Sequence, residues 1–161
     1  MAENKSTIEL SLFDRLRDED GTSLPGGAEP RAGVIDQVRE ALRRDIEALL
    51  NARRRFLIPS STLCDVQESI LMYGVPDFSN EGYSTKEHRH KLRLEIEKTL
   101  AQYEPRLGGV VVELSESGTT GEGPIHFRIS ARARITSEYE PVYFDTAVEP
   151  VDWSVRVKEG D

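Results

Sequence analysis

Residues 125–135, IHFRISARARI, alternate between apolar and polar side chains along their whole length. Successive side chains of a β-strand point to opposite faces, so this alternation predicts a strand with one buried and one polar face. Further strands are predicted at residues 110–114, 141–148 and 153–157, and a Gly/Ser/Thr-rich turn ending at Gly123 precedes the alternating stretch. The C-terminal part of the chain is therefore expected to form a meandering antiparallel β-sheet.

The sequence before this sheet has helical periodicity instead. Apolar residues recur at steps of three and four along an Arg-rich stretch, which predicts an amphipathic first helix. These residues are Val34, Val38, Leu42, Ile46, Leu49 and Leu50. Another helix is predicted to start near Ser84, with Glu87 as its capping-box partner, and to stop before Pro105. The fold class is then α+β, with N-terminal helices packed on one face of the C-terminal antiparallel β-sheet.

Between these helices, the spacing of Leu63, Val66, Ile70 and Leu71 predicts a short second helix. It is followed by residues 73–78, Tyr-Gly-Val-Pro-Asp-Phe. Gly and Pro close together force a specific backbone path, and the apolar side chains beside them would be costly to expose. We therefore expect this segment to be a packed turn.

The domain organisation is predicted to be a flexible N-terminal segment over residues 1–33 and a single domain over residues 34–161. Leu12, Phe13 and Leu16 place three large apolar side chains on a short docking helix at about residues 12–17. Residues 21–33 contain four Gly and two Pro, which sustain neither a helix nor a central strand and indicate a linker. With 161 residues, 37% of them apolar, the chain has enough material for one modest core.

The composition argues against several classes of function. The net charge of −8 disfavours nucleic acid as a partner. No apolar run approaches the ~20 residues of a membrane span, so we expect a cytoplasmic protein without membrane insertion. The single cysteine, Cys64, is expected to be a small hydrophobic residue and not a nucleophile. His88 and His90 should point to different sides of a helix, so no metal site or cofactor is predicted.

Charge is unevenly distributed along the chain. Residues 31–60 hold seven Arg against four acidic residues, whereas residues 107–161 hold five basic against ten acidic residues. This asymmetry suits a subunit that lies between unlike neighbours, although a solvated face is the commoner cause. The run Arg53-Arg54-Arg55 has two explanations at this stage, a favourable position at the negative end of a helix dipole or a site for an anionic partner.

The element Glu104-Pro105-Arg106 lies where the last helix should end and the sheet should begin. Proline fixes its own backbone and restricts the residue before it, so the two charged side chains are presented in a defined way. One interpretation is that a partner protein binds this arrangement. The other is an intramolecular salt bridge at a helix end, worth about 0–1 kcal/mol if it is exposed.

Four segments, taken in order, resemble the TssE family of type VI secretion baseplate wedge subunits, which is related to the "lysozyme-like" wedge protein of contractile-tailed phages. They are LFDRL at residues 12–16, RRDIEALLNARR at 43–54, SILMYGVPDF at 69–78 and YEPRL at 103–107. The most specific pieces are the Tyr-Gly-x-Pro-Asp-Phe turn and the Glu-Pro-Arg element. The resemblance spans Leu12 to Val157, and the sheet contributes to it only through its alternating pattern.

The resemblance implies a non-catalytic structural role in a hetero-oligomeric assembly. Larger baseplate subunits would clamp Glu104, Pro105 and Arg106, and the sheet would accept strands from the first ring of sheath proteins and help to initiate sheath assembly. The baseplate would lie in the cytoplasm at the inner face of the bacterial inner membrane. Partner contacts are also expected from the docking helix and the turn, at Leu12, Phe13, Leu16, Tyr73, Pro76, Asp77 and Phe78. An exposed strand edge further predicts weak self-association of the isolated protein.

The lysozyme label makes a peptidoglycan-cleaving hydrolase the main alternative. Such an enzyme needs two carboxylates about 5–9.5 Å apart, one of them protonated. Among the candidates Glu104, Glu113 and Asp77, the first lies beside Arg106, whose charge favours the ionised carboxylate. No phosphate-binding Gly loop, zinc-type His pair or nucleophile elbow occurs in the sequence, so we predict no enzyme activity.

A generic cytoplasmic adaptor that binds through a sheet edge is a further alternative. Such an adaptor needs only one partner, whereas a wedge subunit should fail to assemble unless several baseplate proteins are present.

Overall fold

Helices precede strands along the chain. The computed structural model describes residues 32–54, 62–67, 69–77, 85–115, 123–134, 139–149 and 151–160. In these ranges the elements are α1 (Ala32–Asn51), α2 (Cys64–Gln67), a 3-10 helix (Ile70–Met72), α3 (Lys86–Tyr103), β1 (Leu107–Leu114), β2 (Ile125–Arg134), β3 (Tyr139–Val148) and β4 (Val155–Glu159). No described helix is both long enough and apolar enough to cross a membrane.

The four strands form one antiparallel sheet in the order β1-β2-β3-β4. In β2 the predicted alternation is confirmed, because Phe127 and Ile129 are buried while Arg128 and Arg132 are exposed. The register of β1 shifts between Gly108 and Val111. Gly109 has a φ of +62° at this bulge, a conformation that glycine adopts without strain.

One face of the sheet is covered by the two long helices. Helix α1 lies along β4 and α3 lies along β1. The apolar stripes of both helices meet the buried side chains of the strands in one continuous core. Its largest fully buried apolar members are Leu42, Ile46, Leu50, Leu100, Val112, Phe127, Ile129 and Phe144. The predicted α+β architecture, with helices on one sheet face, is confirmed.

Several element boundaries differ from the prediction by one to three residues. Helix α3 is capped by Thr85, whose Oγ1 accepts a hydrogen bond from the His88 N–H at 3.3 Å, so the cap lies one residue after Ser84. Strand β1 begins at Leu107 instead of residue 110. Strand β4 begins at Val155 instead of residue 153, because Trp153 has a φ of 59° and donates its N–H to the Glu149 carbonyl in a turn.

The predicted second helix consists of the four residues of α2 and a separate 3-10 turn, and three of its four apolar side chains are exposed. Leu63, Ile70 and Leu71 are 51%, 76% and 67% exposed, and Cys64, expected to be a small hydrophobic residue, is also exposed. The four residues of α2 and the single 3-10 turn are too short to present a continuous apolar stripe. Polar contacts hold the segment instead, because Gln102 and the Tyr103 hydroxyl on α3 donate to the carbonyls of Gln67 and Ser69.

Candidate partner-binding site

The element Glu104-Pro105-Arg106 forms an ionic clamp within the chain. Arg106 Nε lies 2.6 Å from Glu104 Oε1, and Arg106 Nη2 lies 2.7 Å from Glu104 Oε2, a bidentate pair. The same Nη2 lies 2.7 Å from Oδ2 of Asp45, in the middle of α1. In the isolated chain, Glu104 and Arg106 therefore form an intramolecular salt bridge. With Asp45 it makes a clamp that joins the end of α3 and the start of β1 to the middle of α1.

Burial makes this clamp stronger than the exposed salt bridge considered above. The Glu104 side chain is only 8% exposed, and those of Arg106 and Asp45 are 24% and 31% exposed. The hydrogen bond to Glu104 raises the pKa of Arg106 above its ordinary value; burial opposes this, and Asp45 adds to it. The guanidinium therefore stays charged, and breaking a mostly buried pair costs far more than breaking an exposed one. Pro105 is the exposed residue of the element.

The predicted packed turn after the 3-10 helix is confirmed over its described residues, Tyr73 to Asp77. Val75 is buried, donates its N–H to the Ala52 carbonyl at 3.0 Å and accepts from the Arg54 N–H at 3.0 Å. Gly74 has a φ of +99°, and a Cβ there would collide with the Ala52 carbonyl. These contacts fasten the turn to the end of α1.

The turn and the clamp lie side by side. The rings of Tyr73 and Tyr103 are 5.3 Å apart at an interplanar angle of 69°, an edge-to-face pair. Burial raises the pKa of Tyr73, and the charges of Asp45 and Glu104 raise it further. The structure thus brings Tyr73 to Glu104 and Arg106 from distant parts of the chain.

The other predicted partner-binding residues are less closely gathered or lie elsewhere. Pro76 is half-buried and Asp77 is exposed at the end of the turn. The remaining four residues, the predicted docking helix and residues 21–31 of the predicted linker fall outside the residues that the structure describes, whereas Ala32 and Gly33, predicted as linker, form the first residues of α1. Those four are Leu12, Phe13, Leu16 and Phe78.

The Arg run after α1 has a role that neither earlier explanation gave. Helix α1 ends at Asn51, so Arg53 and Arg54 lie beyond its last turn. Arg54 pairs with Glu95 on α3 at 3.0 Å, and Arg53 donates to the backbone carbonyl of Trp153. Both side chains therefore bind other parts of the same chain, while Arg55 lies outside the described residues.

Side chains of α1 cap the outer edge of β4. Asn51 donates to the Val155 carbonyl at 2.8 Å and accepts from the Val155 N–H at 2.9 Å. One turn back, Glu47 accepts from the Val157 N–H at 2.9 Å and Arg43 donates to the Val157 carbonyl at 3.0 Å. Arg43 and Glu47 also bind each other at 3.1 Å. The outward backbone groups of two β4 residues are thus satisfied.

Helix α3 caps the opposite edge of the sheet with the same pair of residue types. Arg93 donates to the Val112 carbonyl at 3.1 Å, and Glu97 accepts from the Val112 N–H at 3.2 Å. Arg93 and Glu97 are four residues apart and lie 3.0 Å from each other. We call the two sets, Arg43-Glu47-Asn51 and Arg93-Glu97, the edge caps.

The edge caps change the expectation of an open strand edge. An incoming strand pairs with unsatisfied N–H and C=O groups, but those of Val112, Val155 and Val157 are already occupied. Addition of a strand at these positions requires that the helix side chains first be displaced.

The three carboxylates considered for a hydrolase differ in burial and lie in different elements of the structure. Glu104 is buried against Arg106, Glu113 is exposed on β1, and Asp77 is exposed in the turn. His88 is half-buried and His90 is exposed on α3. Within the described ranges, no group of three or more His, Cys, Asp or Glu side chains is placed to hold a metal ion.

Sequence reasoning missed Asp45 and the edge caps. Asp45 is 61 residues from Arg106, and Arg43 is 114 residues from Val157, so no local pattern could pair them. A partial signal existed, since each cap contains Arg and Glu four residues apart beside the apolar stripe of a helix. That spacing equally fits an ordinary solvated ion pair.

Comparisons with known proteins agree with this architecture. A family model described as "Baseplate wedge protein gp25" matches residues 36–138, more than half of the chain. A chain of the solved structure "The baseplate complex from the type VI secretion system" aligns with a TM-score of 0.50 and 20% sequence identity, over 73% of this chain and 99% of that chain. At that identity the likeness shows the fold alone. A comparison with curated protein sequences finds no match.

Proposed function

This chain belongs to the baseplate wedge protein gp25 family, and on that premise we propose that it joins a type VI baseplate wedge to the contractile sheath and helps to start sheath assembly. It works as a TssE-like structural subunit within a hetero-oligomeric complex of larger wedge proteins. The baseplate that contains it lies in the cytoplasm at the inner face of the bacterial inner membrane. Residues 34–161 act as the wedge domain, and residues 1–33 act as its N-terminal docking segment.

The observation that carries this proposal is the clamp at the junction of α3 and β1. Glu104 and Arg106 hold each other in one geometry, so the exposed Pro105 between them is presented rigidly. A rigid surface element loses little conformational entropy when a partner binds. Larger wedge subunits contact this end of the molecule at Pro105, the open side of Arg106 and the neighbouring turn with Tyr73, Pro76, Asp77 and Phe78. Leu12, Phe13 and Leu16 add an apolar anchor.

The sheet faces the first ring of sheath proteins in this proposal. Its second face carries no described helix, which leaves a broad regular surface for a neighbour. Strand exchange with the sheath involves one sheet edge, where the incoming strand replaces an edge cap. An adaptor that binds a single partner would need only the surface at the clamp. It would need neither the open sheet face nor an exchangeable sheet edge.

The protein acts without catalysis. The family is named for a structural component, and both carboxylate oxygens of Glu104 accept hydrogen bonds from Arg106, which leaves neither directed at a substrate.

The test is an affinity purification from the native cell with a variant that alters the partner surface without breaking the clamp. Because Arg106 holds Glu104 and Asp45, Arg106→Ala would report on folding as well as on binding. Pro105→Asp changes an exposed position instead, and Lys98→Asp, on the solvent side of α3, is the control. Circular dichroism checks that both variants melt like the wild type.

We expect the wild type and Lys98→Asp to recover several wedge subunits and sheath proteins, and Pro105→Asp to lose the wedge subunits. Full recovery by a folded Pro105→Asp would show that this element is not the contact. Failure of the wild type to recover either class of protein would refute the structural role in wedge and sheath.

A further inference from the structure

The uncovered face of the sheet has an exposed aromatic and apolar area beside the clamp. Tyr139, Tyr143 and Val111 are 56%, 42% and 48% exposed. They share this face with exposed Arg132 and Pro141, because Val111 pairs with Ser130, Ser130 with Tyr143, and Arg132 with Pro141 across the strands. We call Val111, Arg132, Tyr139, Pro141 and Tyr143 the sheet platform.

At the bulge of β1, two glycines without side chains border one side of this platform. A Cβ on Gly108 would lie 3.4 Å from the ring of Tyr139, and one on Gly109 would lie 4.0 Å from Nη2 of Arg132. The tyrosine ring and the guanidinium therefore extend over β1, within van der Waals distance of these two glycines. An exposed sheet face without a described helix over it suits an extended segment better than a small molecule, which needs a concave pocket.

The platform lacks an acidic side chain, and Arg132 forms no salt bridge within the part of the chain that the structure describes. On the same face, Asp145 is paired with Arg128 at 2.9 Å. Glu140 belongs to the opposite face, where it pairs with Arg39 at 3.2 Å. Among the described residues, Arg132 therefore carries a charge without a salt-bridge partner beside exposed aromatic side chains, on a protein of net charge −8.

We infer that the sheet platform binds an extended acidic segment of a partner protein. Arg132 would pair with a carboxylate, and Tyr139 and Tyr143 would pack on the stems of its side chains. Arginine and tyrosine are the residue types that contribute most at protein interfaces. Nucleic acid and anionic membranes fit less well, because the rest of the chain would repel them.

The platform continues directly from the proposed contact with the wedge. Arg134, which pairs with Tyr139, donates its N–H to the Arg106 carbonyl at 2.9 Å. One partner subunit can therefore cover both Pro105 and the platform. In this respect the inference rests on the proposed function, although binding of an acidic segment is measurable without it.

The experiment measures fluorescence anisotropy of a labelled peptide of alternating Glu and Thr, about 10 residues long, which spans the sheet at about 3.3 Å per residue. A Lys/Thr peptide, a short DNA duplex and anionic lipid vesicles are the comparison probes. Arg132→Glu and Tyr143→Ala alter the platform. Lys98→Glu makes the same charge change as Arg132→Glu, at an exposed position on α3.

We expect the wild type to prefer the Glu/Thr peptide over all comparison probes. Arg132→Glu should weaken that binding at least about tenfold at ~0.05 M salt and much less at ~0.5 M, because salt screens exposed charges. Tyr143→Ala should weaken it at both salt concentrations, and Lys98→Glu should have little effect. Equal binding of the Lys/Thr peptide, or stronger binding of DNA or vesicles, would overturn the inference.

The same variants in the affinity purification separate this inference from the proposed function. If Arg132→Glu recovers wedge subunits as the wild type does, the platform is not part of the contact and the wedge role still stands. If the wild type binds the acidic peptide but recovers no wedge subunit, the wedge role fails and the platform serves another acidic partner.

Discussion

Replacing Arg106 with alanine should destabilise the protein far more than loss of an ordinary surface ion pair. The substitution leaves the Glu104 carboxylate, 8% exposed, without the two nitrogens that now lie 2.6 and 2.7 Å from its oxygens. Removing one partner of a buried pair costs about 3–5 kcal/mol. Water reaches Arg106 and Asp45, which are 24% and 31% exposed, so we expect about 2–4 kcal/mol here.

Urea denaturation followed by circular dichroism measures this change as a shift in midpoint. For a domain of this size, each kcal/mol should also lower Tm by roughly 2–4 °C. Arg106→Lys should fall between the wild type and alanine, because lysine keeps the charge but cannot form the bidentate pair. Combining Arg106→Ala with Glu104→Gln should recover part of the loss, since no buried charge is then stranded. A loss below about 1 kcal/mol for Arg106→Ala would refute the reasoning from burial.

Two further predictions concern the edge caps and the turn. The double variant Glu47→Ala with Asn51→Ala exposes backbone groups of Val155 and Val157, so sedimentation velocity should detect self-association. The wild type and Gln37→Ala, an exposed position on α1 outside the edge caps, should not show it. A monomeric double variant would mean that the caps do not block strand pairing. Gly74→Ala should lower the free energy of unfolding by about 3 kcal/mol or more, because it adds backbone strain to a collision with Ala52. Gly123→Ala is the control, since no heavy atom lies within 4 Å of the added Cβ. It should change the free energy of unfolding by less than about 0.5 kcal/mol. Equal midpoints for the two glycine variants in urea denaturation would contradict this account.

The parts of the fold that the sequence predicted well are those where periodicity and burial coincide over many residues. In β2 the ten residues alternate without interruption, and in α1 the stripe from Val38 to Leu50 faces the core. Such long patterns leave one arrangement in which the apolar side chains are all covered. The α+β architecture followed from these two elements.

Short segments could not be predicted in the same way. Leu63, Ile70 and Leu71 have helical spacing, yet all three are exposed because backbone and polar contacts hold the segment. Over so few residues, spacing alone does not distinguish a buried stripe from a surface that a partner covers. The exposed group lies next to the predicted turn.

The candidate site was predicted in its residues but not in its geometry. The Glu-Pro-Arg element and the tyrosine turn were both singled out, and the structure brings Tyr73 beside Glu104. The role of Asp45 depends on how α1 packs, which long-range contacts determine. The same reason explains why the sequence did not reveal the contacts of Arg53 with Trp153 and of Arg54 with Glu95.

The edge caps turn the joining of a fifth strand into an exchange reaction. An incoming strand that pairs with Val155 and Val157 would form backbone hydrogen bonds where Asn51, Glu47 and Arg43 already form the same number. Hydrogen bonds alone then contribute little net free energy to the exchange. The equilibrium must instead be set by the newcomer's side chains, and its rate by how often α1 loosens from the sheet. A capped sheet of this kind is selective about which strand it accepts and slow to accept a wrong one.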